Sequence, residues 1–142
     1  MSNSTNKETP QYGVMDTSFK AAGGEAGLRK LCEDFYHLMN TLSSAKTIRD
    51  MHKEDLNVMT DKLTLFLCMW LGGPKTYSEK YQFVPMPIAH KHLIINEVER
   101  DAWLLCMDKA IDLQHYEPLF VEYLKRQLRF PAEMIRKTAR SE

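Results

Sequence analysis

A proline-studded gap splits this chain into two stretches of helical periodicity, and that gap limits the fold more than any other feature. Before it, Leu28, Leu31, Cys32, Phe35, Leu38, Met39 and Leu42 recur at steps of three and four, which is one face of a helix. Leu56, Met59, Leu63, Phe66, Leu67 and Trp70 form a second stripe, apolar all round in its second half and so destined for the interior. Ser43-Ser44 and the charged stretch from Lys46 to Asp55 connect the two, with room for a short helical turn. Gly72-Gly73-Pro74 stops the second helix, glycine serving the left-handed cap and proline refusing to continue it. From Lys75 to Ile95, Pro85 and Pro87 admit only short helical turns, so this segment is expected to be loop. A loop of that length inside a small domain usually holds something.

Beyond the gap, Asn96 and Glu99 form a capping pair opening a helix through Val98, Ala102, Trp103, Leu105, Cys106, Ala110 and Ile111. His115-Tyr116-Glu117 interrupts it. Pro118 suits the first turn of a last long helix carrying Leu119, Phe120, Tyr123, Leu124 and Leu128, which Pro131 is expected to break or bend. No run alternates with the period of a strand. The expected fold is all-α, with residues 1–17 a flexible tail, 18–130 one domain and 131–142 a basic extension.

The 142 residues suit a single domain, and 44% hydrophobic content suffices for a real core. Nineteen Lys+Arg balance nineteen Asp+Glu, which disfavours nucleic acid and membrane surfaces as partners. The longest apolar run, Leu65 to Leu71, is too short to span a bilayer, and the first residues carry no apolar signal core. Cys32, Cys68 and Cys106 are odd in number and sit in apolar stretches, which reads as buried, reduced thiols in a cytoplasmic protein.

Five histidines are present, none in a His-x-x-x-His pair. His90 and His92 lie in an apolar, proline-bounded segment with no acidic residue until Glu97. Such a histidine is either an ordinary loop residue or an axial ligand to a buried cofactor, and the local residues leave both open. Tyr36, one step off the first apolar stripe, reads as half-buried, and Trp103 as inner-face core. Nine methionines suit irregular gaps such as the surroundings of a flat apolar ligand. Phosphate-binding glycine loops and hydrolase nucleophile elbows are missing from the sequence. The basic C-terminal residues Lys125, Arg126, Arg129, Arg136, Lys137 and Arg140 read as a solvated helix face.

Taken in order, these pieces resemble the group II truncated haemoglobins. The resemblance is carried by Gly23 to Leu28, Phe35-Tyr36, Asp61-Lys62-Leu63, Phe66-Leu67, Trp70 to Pro74 with Tyr77, His90, and Glu99 to Leu104. It spans about Phe19 to Leu128, and it implies a two-on-two helical sandwich around haem b.

Carried over residue by residue, His90 is the implied proximal ligand of the iron, with His92 the competing one. Tyr36 and Trp103 match the distal tyrosine and tryptophan, and His52 best fits a third distal polar position. Met59, Leu63, Phe66, Leu67, Tyr77 and Met107 are the implied lining of the haem pocket. A diatomic ligand draws negative charge from ferrous iron, so aimed donors hold it. The chain departs from the family at Ala89, where many members carry an arginine that reaches a haem propionate, which leaves Lys91 as the alternative anchor. A swing of His52 onto the iron would give a six-coordinate resting state.

The implied activity is binding of O2, and also CO and NO, with NO or peroxide redox chemistry ahead of bulk transport. Such turnover would need an external reductase, because the chain holds no flavin or nicotinamide motif. The competing readings are an O2-storage or ligand-sensing globin without turnover, either one a monomer or homodimer.

Overall fold

The computed structural model describes residues 11–51, 55–81 and 95–138, and every regular element among them is helical. A five-residue helix, α1 (Thr17–Ala21), leads into α2 (Gly24–Thr41), followed by a 3-10 turn (Ser43–Ala45) and α3 (Lys46–Met51). Then come α4 (Leu56–Trp70), α5 (Thr76–Tyr81), α6 (Glu97–Asp112) and α7 (Pro118–Thr138).

The helix limits follow from local chemistry. Asp55 caps α4 by accepting the Asn57 N–H on its side chain at 2.7 Å. At the other end, Gly72 N–H donates to the Met69 carbonyl at 3.1 Å and Gly73 N–H to the Cys68 carbonyl at 2.7 Å, a Schellman ending with Gly72 at φ +95°. The glycines there serve a second purpose. The chain entering α1 crosses this corner, where Phe19 N–H donates to the Leu71 carbonyl at 3.1 Å. A Cβ on Gly72 would lie 1.9 Å from the Met15 carbonyl oxygen, and one on Gly73 would lie 2.5 Å from the Phe19 ring. Helix α6 opens on the expected capping box, Asn96 N–H donating to Glu99 Oε1 at 2.8 Å.

Two helix pairs form the core. Helix α2 packs against both α4 and α6, α6 packs against α7, and α5 folds back on α4. Leu28, Leu31 and Phe35 of α2 are fully buried with Met107 and Ile111 of α6 and Phe120 of α7. Cys32, Cys68 and Cys106 are all buried. Burial pushes the Cys32 thiol up to about 12 and the Cys68 thiol up to about 11, which removes both as nucleophiles near neutral pH.

Two sequence expectations change. Helix α7 runs through Pro131 to Thr138 and is not broken there. Proline removes one backbone N–H, but the turns on either side are held by other means. Leu124, Leu128 and Ala132 are buried, and Arg100 of α6 bonds Glu133 at 2.7 Å while Arg136 bonds it at 2.6 Å. Several cations of the basic C-terminal face thus have acidic partners, among them Lys125 with Asp112 at 2.8 Å and Arg129 with Asp108 at 3.2 Å. The second change concerns the N-terminal tail, in which Tyr12 packs against the core. The ring of Tyr12 lies 5.2 Å from that of Phe120 and 5.1 Å from that of Tyr123, and Gly13 N–H donates to buried Ser18 Oγ at 2.8 Å.

Candidate distal pocket

Helix α2 is covered on two sides, by α4 and by α6, so its buried arc is wider than one stripe. Phe35 and Tyr36 are consecutive, and both are buried as a result. Tyr36 is 8% exposed, deeper than the half-burial expected from its place beside the stripe.

Phe35 is the hinge of the arrangement. Its ring meets Tyr36 at 4.9 Å with planes 68° apart, and Trp103 of α6 at 5.3 Å with planes 63° apart. Both are edge-on contacts, the geometry aromatic quadrupoles favour. Two side chains with hydrogen-bond donors, from different helices, are thereby held on one fully buried ring.

The predicted lining residues gather in the same cluster. Met59, Leu63 and Leu67 of α4 are 5%, 8% and 2% exposed, and Met107 of α6 is fully buried. Phe66 and Trp103 are half-buried and pack against that cluster. Tyr77 of α5 joins through Phe66, its ring 5.9 Å away and 79° inclined. His90, His52, His92, Ala89 and Lys91 lie outside the described residues. His37 and His115, which are described, are exposed.

One cluster escaped the sequence reading. Asp61 of α4 accepts from Lys80 Nζ at 2.8 Å and Arg29 Nη2 at 3.1 Å, and also from the Tyr81 hydroxyl. It therefore ties α2, α4 and α5 together at the edge of the aromatic wall. Hydrogen bonds from Lys80 and Tyr81, then Arg29, hold its carboxyl down to about 2. Asp61 was legible only as part of a motif, because its partners lie 32, 19 and 20 residues away. Among the described residues no cluster of three His, Cys, Asp or Glu could hold a metal ion. Nor is any described helix long and apolar enough to cross a membrane.

The arrangement is an apolar cluster built from α2, α4, α5 and α6, with two donor-bearing side chains against one buried ring. The bacterial-like globin family matches residues 17–136. The chain is 31% identical over 121 residues to the group 2 truncated hemoglobin YjbI of Bacillus subtilis, covering 83% of this chain and 89% of that protein. It is also similar to the cold-adapted truncated hemoglobin of the Antarctic bacterium Pseudoalteromonas haloplanktis TAC125, with 33% identity, 83% and 95% coverage and a TM-score of 0.79. The group II 2-on-2 hemoglobin of Agrobacterium tumefaciens matches over 100% of both chains, with 30% identity and a TM-score of 0.79. The helix pairs and these matches together place the chain in the bacterial-like globin family as a group II truncated haemoglobin, a two-on-two globin that binds haem b.

Proposed function

We propose that this globin takes up O2, with CO and NO as further ligands, and that it turns the ligand over in NO or peroxide redox chemistry instead of carrying oxygen in bulk. The observation that supports this reading best is the shared contact of Tyr36 and Trp103 with Phe35. Donors fixed by packing lose little freedom when they bond a ligand, so they slow its release and suit chemistry over transport.

Described residues would form one side of the site for haem b. Its apolar surface would be held by Met59, Leu63, Phe66, Leu67, Tyr77 and Met107, of which four are almost fully buried. Haem supplies a ferrous iron that accepts a diatomic ligand. The phenol of Tyr36 and the indole N–H of Trp103 would donate to that ligand, with His52 as a third donor. His90 would hold the iron through a neutral imidazole nitrogen. Repeated turnover of NO requires electrons from a separate reductase, since the sequence has no flavin or nicotinamide motif. A cytoplasmic setting would keep the three cysteines reduced.

Absorption spectra of the haem-loaded protein, ferric and ferrous with and without CO, test the iron site. His90→Ala should lose the spectral signature of an axial imidazole, and its retention would overturn the assignment. Mixing the oxygenated protein with NO beside a reductase tests turnover. Repeated cycles are expected, whereas one stoichiometric reaction would overturn the NO branch.

A further inference from the structure

A line of aromatic rings leads from the wall of the pocket to the surface of α5. Tyr77 meets Phe66 at 5.9 Å and 79°, and Tyr81 meets Tyr77 at 5.7 Å and 46°. The line ends in a proton acceptor, because the Tyr81 hydroxyl donates to Asp61 Oδ2. Bonds from Lys80 and Arg29 keep that carboxylate ionised and fixed in place. In the other tyrosine cluster the Tyr116 hydroxyl donates to the Ala22 carbonyl, an amide oxygen that takes no proton.

We propose that Tyr77 and Tyr81 form a one-electron relay outward from Phe66, with Asp61 taking the Tyr81 proton, so that small phenol or endiol donors are oxidised at Tyr81. The relay rests on the peroxide branch of the redox reading above. Bound haem would supply the reduction of hydrogen peroxide, which consumes two electrons and two protons and yields two waters. Each electron is replaced through Tyr77 from Tyr81, whose phenolic proton passes to Asp61 and on to solvent. The resulting neutral phenoxyl regains one electron and one proton from a donor molecule, so two donors are oxidised per peroxide. A phenol that has lost an electron is a far stronger acid than before, so even a weakly basic carboxylate accepts its proton. The Lys62 and Lys80 ammonium groups lie 5.5 and 5.3 Å from the Tyr81 ring centroid.

The test is spin-trap labelling of the full haem-loaded chain with 2-methyl-2-nitrosopropane during exposure to hydrogen peroxide, read by peptide mass spectrometry. The expected result is an adduct on Tyr81 that is lost in Tyr81→Phe and reduced in both Tyr77→Phe and Asp61→Asn. Adducts confined to Tyr36, Trp103 or the Tyr12–Tyr123 group would overturn the relay, as would undiminished Tyr81 labelling in Tyr77→Phe. The haem absorption change of the unmodified protein separates the two claims. A change without Tyr81 labelling defeats the relay alone, and no change with peroxide defeats the peroxide reading and the relay together.

Discussion

The indole of Trp103 on α6 rests edge-on against the phenyl ring of Phe35 on α2, their centroids 5.3 Å apart. This contact spans the two helices that carry the proposed distal donors, and so couples the stability of the core to the placement of Trp103. Replacing Phe35 by Ala should cost about 3–5 kcal/mol, the usual range for emptying a buried aromatic site. Trp103→Phe keeps a ring but removes its N–H. A hydrogen bond to a charged acceptor is worth about 1.5–3 kcal/mol, so O2 release should speed up by about tenfold or more. Stopped-flow O2 dissociation from the two forms measures this, and equal rates would show that Trp103 does not bond the ligand.

Asp61 makes acid stability predictable in sign. Its folded-state carboxyl sits near about 2, below the ordinary aspartate value, because Lys80 and Tyr81 and then Arg29 bond its charged form. The stabilisation is therefore complete above about pH 4 and is lost as pH falls toward 2. Glu133, held down to about 2 by Arg136 and Arg100, acts in the same direction. Thermal melts across that window should show a shallower acid slope for Asp61→Asn than for the parent protein, with the Glu133 contribution remaining. Loss of the three partners should also cost about 1–2 kcal/mol at neutral pH.

Gly72→Ala should be strongly destabilising. The φ of +95° is one that side chains rarely adopt, and the new methyl would sit 1.9 Å from the Met15 carbonyl oxygen. We expect a loss of about 2 kcal/mol or more by chemical denaturation, as backbone strain and overpacking combine. A neutral result would mean that the chain at Met15 can leave this corner freely.

Pro131→Ala should raise stability. The residue is inside α7, where proline costs up to about 3 kcal/mol relative to alanine, and the helix persists despite it. A higher thermal midpoint is expected, and an unchanged or lower one would show that the ring packs usefully where it is.

Helix identity and the apolar stripes were written in local spacing. Leu28 to Leu42 and Leu56 to Trp70 repeat at the helical period, Asn96 and Glu99 mark a start, and Gly72-Gly73-Pro74 marks a stop, because each signal acts within one or two turns. Family resemblance added Tyr36, Trp103 and the lining residues, which the structure brings into one cluster, with Tyr77 attached through Phe66. Pairings between distant segments were not written there. The depth of Tyr36 depends on α2 being covered by both α4 and α6. Past Pro131, α7 is met by Arg100, which reaches Glu133 from another helix, 33 residues away in the chain. The Asp61 hub needs α2, α4 and α5 to converge. Side-chain period fixes which face of a helix is apolar, but which neighbour covers that face is decided only when the whole chain is packed.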